Sequence, residues 1–395
     1  MPRYHVACIA LALVSACAAQ DQTVNDWDAI VVTAYRYQAG RWGLYQIASD
    51  NSLRELVPGG MFPRYSPDHS QIALLRKGNL WVHRLSDGRN LASRVGMSQA
   101  RSSRDIAWTP RGDAVYSPMV VAELSPPENA IRLMVQRESA FGPLPGEGPL
   151  WEIVGLRVGN HSSPVFSAGG RLAFCLWEAR VDGSFRSAHI YLQSLDDGRM
   201  FERLTDLPDS VLELHPMWST DGERIAFECL DLEDDTRRVL VREVRTDTTW
   251  EPLTEVLNHR PGDRDTNAAL LRAAWLFGWQ PQADGLLIGY GRMEGGIPLQ
   301  MGLGVVKPGS FAEVERVGPD GSDILDAAWS PDGKRLAYIL NWSDARPWKV
   351  SVPVVSIVGY DFVNNTRRTL YEPNYAEILS DPVRKEAVVP VDIEW

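Results

Sequence analysis

Three residues able to hold a cation or hydrogen-bond a ligand stand at the same place in a recurring phrase. Asp105, His215 and Asp326 each lie three positions before an aromatic, Trp108, Trp218 and Trp329. The other copies carry Phe62, Ser163 and Leu276 there, and Arg104 and His161 stand close by in sequence. Carboxylate and imidazole groups suit a divalent cation, so Asp105, His215 and Asp326 are the candidate metal ligands. All five polar residues are the candidate ligand or partner contacts. The chain has no His-x-x-x-His or Cys-x-x-Cys pair, so a metal site would have to be assembled from separate repeats, and the expectation is no bound cofactor.

Other chemistry finds little support. No Gly-x-Ser-x-Gly elbow occurs, which argues against a serine hydrolase. Gly291-Arg-Met-Glu-Gly-Gly296 lacks the lysine and following helix of a phosphate loop and reads as a hairpin turn. Asp231-Leu-Glu-Asp-Asp235 reads as a solvated hairpin tip. Asp320, Gly321 and Asp323 lack the alternate-residue spacing of a calcium loop and read as a turn. The formal net charge of −11 disfavours nucleic acid, which needs basic residues to neutralise phosphate.

These residues are positioned by the phrase itself. Its fullest copy is Trp329-Ser-Pro-Asp-Gly-Lys-Arg-Leu-Ala-Tyr338, followed by Trp218-Ser-Thr-Asp-Gly-Glu-Arg-Ile-Ala-Phe227. Partial copies begin at Tyr65, Trp108, Phe166 and Trp279, so the aromatics stand 43, 58, 52, 61 and 50 residues apart. Such a period marks a repeat architecture. Within a copy, proline presets φ, aspartate bonds its own backbone and glycine takes the left-handed position of a tight turn. The stretch that follows alternates as a half-buried strand should. Further runs such as Leu80-Trp-Val-His-Arg-Leu85 and Ile190-Tyr-Leu-Gln-Ser-Leu195 lead into Asp-Gly hairpin signals. Four antiparallel strands per unit make a β-propeller blade.

The phrase resembles the repeat of the TolB-like propeller family, over roughly residues 28 to 395. The resemblance implies an all-β chain of four-stranded antiparallel blades. Seven blades are expected, and six or eight also fit. Ile30–Tyr35, Leu44–Ile47 and Leu53–Val57 read as the second, third and fourth strands of a blade that no phrase precedes. A C-terminal strand is expected to complete that blade and close the ring, with Ile378–Pro382 as a decayed phrase and Glu386–Val389 beyond it. Two insertions interrupt the repeat. Ser125-Pro-Pro-Glu128 resembles a capping box and predicts a short amphipathic helix bearing Ile131, Met134 and Val135, followed by the Gly142–Pro149 loop. Residues 258–267 form a polar loop, and Trp342 and Trp348 flank another.

Residues 1–16 read as a signal peptide, with Arg3 ahead of the short apolar run Val6–Val14. Val14-Ser-Ala-Cys17 resembles the bacterial lipobox, which makes Cys17 the lipidation site, with 17–27 as a short linker and 28–395 as the propeller. Ala18 after the cysteine resembles the outer-membrane pattern of a Gram-negative host. Cys175 and Cys229 fall on opposite strand faces of neighbouring blades when Arg171–Phe174 is aligned with Arg224–Phe227, so they are expected to stay unpaired. The functional expectation is a monomeric, envelope-anchored, non-catalytic binding module. It would meet an envelope protein or ligand at the channel mouth, and its lipid would be its only membrane contact. The alternative is a metal-assisted lyase or hydrolase acting on glycans through the same channel.

Overall fold

In the computed structural model the described residues are 26–36, 39–92, 100, 102–120, 131–137, 151–152, 160–179, 185–194, 201–259, 271–294, 297–317, 323–341, 355–373 and 388–395. Cys17, the signal segment, Ile378–Pro382, Trp342, Trp348 and most of both insertions lie outside them.

Each phrase folds as its turn chemistry requires. In the fullest copy the Ser330 hydroxyl donates to Asp332 at 2.6 Å and accepts from the Arg335 N–H at 2.9 Å. The Gly333 N–H donates to the Ser330 carbonyl at 2.8 Å, and Gly333 has φ +67°. Tyr65-Ser-Pro-Asp lacks the glycine, and His69 takes the left-handed conformation in its place, at φ +55°.

The turns connect the inner two strands of four-stranded antiparallel sheets. Four such sheets are Gly60–Tyr65 to Asn90–Ala92, Ala107–Trp108 to Trp151–Glu152, Asn160–Phe166 to Phe201–Arg203, and Asp323–Trp329 to Thr366–Tyr371. Val211–Trp218, Arg224–Asp231, Thr236–Glu243 and Thr249–Trp250 form another group, and Leu271–Trp279 to Ser310–Arg316 a further one. These two groups share one eight-stranded sheet through the single parallel pair Arg237↔Ala273. Divided at that pair, the strands make seven groups of four; counted as hydrogen-bonded sheets, they make six.

The remaining sheet closes the ring. Its order is Val388–Glu394, Val31–Arg36, Arg41–Ile47, Leu53–Pro58, so the innermost strand comes from the far end of the sequence. The aromatic that follows this strand is Trp395, placed where the other blades carry their phrase aromatics.

The core lies between blades. Alternate residues of a strand point to opposite faces, so Ile72 and Leu74 pack back against Val31, Leu44 and Val57. Ala73, between them, packs forward against Ile106 and Val115. Such apolar clusters follow one another around the ring and end with Trp27, Ile30, Val32 and Ile393 against Ala337, Ile339 and Ile357. Burying each of these aliphatic side chains contributes roughly 1.5–3 kcal/mol.

Two local expectations are corrected. Ile131–Arg137 is a strand, not a helix: it pairs with Ala114–Val120 and Trp151–Glu152, and this ladder outweighs the capping-box signal. Cys175 and Cys229 are free, as expected, but the register argument does not separate them. The Cys175 thiol donates to the Glu213 carbonyl at 3.2 Å, and Cys229 packs in the cluster that joins the same two blades. Opposite faces of neighbouring blades meet at one shared boundary.

Candidate functional site

The innermost strands share a bulge. Their ladders slip between Met61 and Arg64, Ser162 and Val165, Leu214 and Met217, Leu276 and Gly278, and Ile324 and Asp326. Phe62, Ser163 and His215, three residues before their aromatics, have φ of +56°, +50° and +52°. A bulge re-aims side chains and frees backbone groups. The candidate residues therefore sit within these strands or on the short 3-10 turn Ser103–Asp105, rather than only ahead of the strands.

The freed N–H groups are met from the preceding blade. Phe62 N–H donates to Thr33 Oγ1 at 2.8 Å, Ser163 N–H to Asp105 Oδ1 at 3.0 Å, and Leu276 N–H to Glu228 Oε1 at 2.8 Å. Ile324 N–H donates to Gln300 Oε1 at 2.5 Å and Ile393 N–H to Asp326 Oδ2 at 3.1 Å. Asp105 and Asp326 are thus inter-blade acceptors, each satisfying a buried donor whose loss would cost about 1–3 kcal/mol.

Arg104, His215 and Asp326 converge on one cavity of ≈ 300 Å³, together with Ser103, Glu228, Arg237, Trp275 and Asp392. Asp105 is buried against Ser163 and does not line it. The backbone of His161 pairs with Leu176, and its side chain lies outside what is described.

Glu228 organises one side of the cavity. Its Oε2 accepts from His215 Nδ1 at 3.0 Å and from Arg237 Nη2 at 2.9 Å, and Arg104 Nη1 stands 4.0 Å from Oε1. Arg104 also donates to the Leu276 carbonyl at 2.6 Å. Burial pushes the Glu228 carboxyl up, but the His215 hydrogen bond and the Arg237 and Arg104 charges outweigh it and hold the group well below the usual carboxylate range.

The opposite wall is a pair of buried carboxyls. Asp392 accepts from Ser103 Oγ at 2.8 Å and Thr33 Oγ1 at 3.2 Å and is hydrogen-bonded to Asp326. Burial, then mutual repulsion, raises Asp392 well above its ordinary value; burial also raises Asp326, against the pull of Arg104. Two acids in such contact share a proton.

The site is a fixed polar cavity with two guanidiniums, an imidazole exposed by about a third, and two carboxyl clusters. Ser103 donates to Asp392. Among the described residues no three His, Cys, Asp or Glu side chains are grouped to hold a metal ion. Glu228, Arg237 and Asp392 escaped the sequence reading. Glu228 left a trace, a lone charge interrupting the apolar run Ile225-Ala-Phe-Glu-Cys-Leu230.

A second cavity, of ≈ 410 Å³, occupies the other end of the channel. It is lined by the phrase aromatics Tyr65, Trp108, Phe166, Trp218, Trp279 and Trp329, together with Trp395. In three blades the phrase arginine covers the aromatic of the next: Arg171 over Trp218 at 4.6 Å, Arg224 over Trp279 at 5.0 Å and Arg335 over Trp395 at 5.4 Å. Trp108 and Trp279 donate back to the Arg64 and Met217 carbonyls, at 2.9 and 3.0 Å.

Ring, repeat and closing strand define a β-propeller. The propeller domain of the trilobed protease from Pyrococcus furiosus is similar in structure, at 13% identity and a TM-score of 0.56, over 88% of this chain and 95% of that one. An oligogalacturonate lyase from Vibrio parahaemolyticus is similar at 14% identity and a TM-score of 0.54, over 83% and 90%. TolB from Acinetobacter baumannii aligns at 12% identity over 94% and 67%, with a TM-score of 0.48. No protein-family model matches the chain, and no curated protein matches it in sequence.

Proposed function

We propose that the chain is an exported lipoprotein whose β-propeller is a non-catalytic binding module at the cell envelope. Its ring is counted as seven blades, and it engages an envelope protein or small polar ligand at the channel end built around Arg104, His215 and Asp326. The carrying observation is that these residues, from three separate blades, line one cavity with their polar atoms already oriented by Glu228, Leu276 and Ile393. A preorganised set of donors and acceptors suits recognition. Asp105 supports the proposed contact surface from behind through Ser163, and His161 belongs to it as an outlying member. The lipobox at Cys17 supports export and lipid anchoring, in the outer membrane if the host is Gram-negative.

In-cell cross-linking of the tagged, lipidated protein, followed by mass spectrometry, tests this reading. A stoichiometric envelope protein joined near Arg104 or His215 is the expected result. Cross-links distributed at random, unchanged in His215→Ala, would sink it.

The alternative, a metal-assisted lyase or hydrolase on glycans, draws on one observation: an oligogalacturonate lyase, of which one structure holds manganese, shares the fold. Against it, His215 Nδ1 is tied to Glu228, and Asp105 is turned away from the cavity. Manganese titration of the purified protein decides: saturable binding lost in His215→Ala favours the lyase.

A further inference from the structure

We infer that the protein meets a lipid surface with the phrase-turn end of its channel, so that the cavity of Arg104 and His215 opens away from the bilayer. The inference rests on the lipid-anchor reading of Cys17 and adds to it an orientation.

Strand direction sets the argument. In every blade with a phrase, the innermost strand runs toward its aromatic, and the Ser-Pro-Asp-Gly type of turn follows at that end. The closing blade has no such turn. In its place stand Trp395, following the innermost strand, and the segment Asp26–Ile30, entering the second. The chain upstream of the propeller is therefore attached at the phrase-turn end.

Contacts fix that attachment point. Trp27 is buried against Trp395 with ring centroids 4.8 Å apart, and Arg368 and Arg335 lie over it at 4.5 and 5.4 Å. The Tyr65 hydroxyl donates to the Ala29 carbonyl at 2.6 Å, and Ile30 N–H to the Trp27 carbonyl at 3.2 Å. Tyr65 and Trp395 both line the aromatic cavity, so the entering segment spans the rim of that opening.

The tether is short. From Cys17 to Trp27 an extended chain reaches at most about 35 Å. A seven-residue strand spans roughly 23 Å, so placing the opposite end at the membrane would spend most of the tether along the outer wall. Anchoring at the near end asks for none of that reach. At this end Asp87 is paired with Arg84 and Arg89, Asp221 with Arg224, Asp247 with Arg242 and Asp332 with Lys334, so its charge is locally balanced and the surface it suits is zwitterionic lipid, approached through the tether and not by charge.

Two exposed side chains report on the two ends. Val363, 69% exposed, lies on a phrase-end turn beside Phe362, which stacks on Trp329; Leu232, 59% exposed, lies on a turn at the opposite end. The native Cys175 and Cys229 are buried, so Val363→Cys or Leu232→Cys can carry a donor dye on the lipidated full-length protein. In phosphatidylcholine vesicles bearing a headgroup acceptor, stronger energy transfer is expected from position 363 than from 232. Equal transfer, or stronger transfer from 232, in vesicle-bound protein overturns the orientation. If protein with Cys17 intact does not join the vesicles at all, the anchor reading itself fails, and the orientation with it. Cys17→Ser is expected to leave the vesicles unlabelled.

Discussion

Glu228 accepts the backbone N–H of Leu276 from the neighbouring blade at 2.8 Å, while its other oxygen holds His215 and Arg237. One carboxylate thus joins two blades and sets the cavity's donors, so architecture and recognition cannot be varied separately there.

Glu228→Ala is expected to destabilise the fold by about 3–5 kcal/mol, because it strands buried charges as well as a backbone donor. Glu228→Gln keeps an acceptor and should cost less. Urea unfolding at neutral pH measures both, and a Glu228→Gln variant as stable as the parent would contradict the charge argument. Because Glu228 is held below its ordinary pKa, its contribution is full above the unfolded value and is lost as pH falls through the folded one.

The Asp326 and Asp392 pair has the opposite sign. Both are raised in the folded chain, chiefly by burial, so their contribution is full below the unfolded value of about 3.9. It is lost as pH rises through the folded values. Asp392→Asn should flatten the decline in stability above that range, measured by urea midpoints between acidic and mildly alkaline pH. An unchanged pH slope would show that the two acids do not share a proton.

Arg335 lies over both Trp27 and Trp395. Arg335→Ala should cost about 1–2 kcal/mol, the range for partly desolvated cation–π contacts, and Arg335→Lys less. Thermal unfolding separates them. Arg76, which covers Trp81 within its own blade, supplies the comparison: Arg76→Ala should leave ring closure intact.

Cys175 and Cys229 are buried with their thiol pKa values raised, first by desolvation. Thiol reagents should modify them only at the rate of unfolding. Rapid labelling of the folded protein would show that the boundary between their blades opens.

Much of the scaffold was legible because turn chemistry is local. Ser330, Asp332 and Gly333 do in the structure what their types demand. His215 and Asp326 are marked by their place in the phrase and Arg104 by standing beside it, and three blades bring them to one cavity. The bulge was hidden, since Phe62, Ser163 and His215 occupy left-handed conformations that their types do not announce. Trp395 takes the seventh aromatic place through the position of Val388–Glu394 in the ring, a tertiary feature that no local pattern announces. The strand at Ile131–Arg137 is hidden from a local capping signal because its ladder partners are tertiary.

The strand nearest the N-terminus has a mechanical meaning. Val31–Arg36 is not an edge strand: it is hydrogen-bonded to Arg41–Ile47 on one side and Val388–Glu394 on the other. Tension arriving through the residues before Trp27 must slide it past two neighbours at once, breaking both ladders together instead of peeling one bond after another. A molecule pulled from this point would resist as a rivet does, in shear.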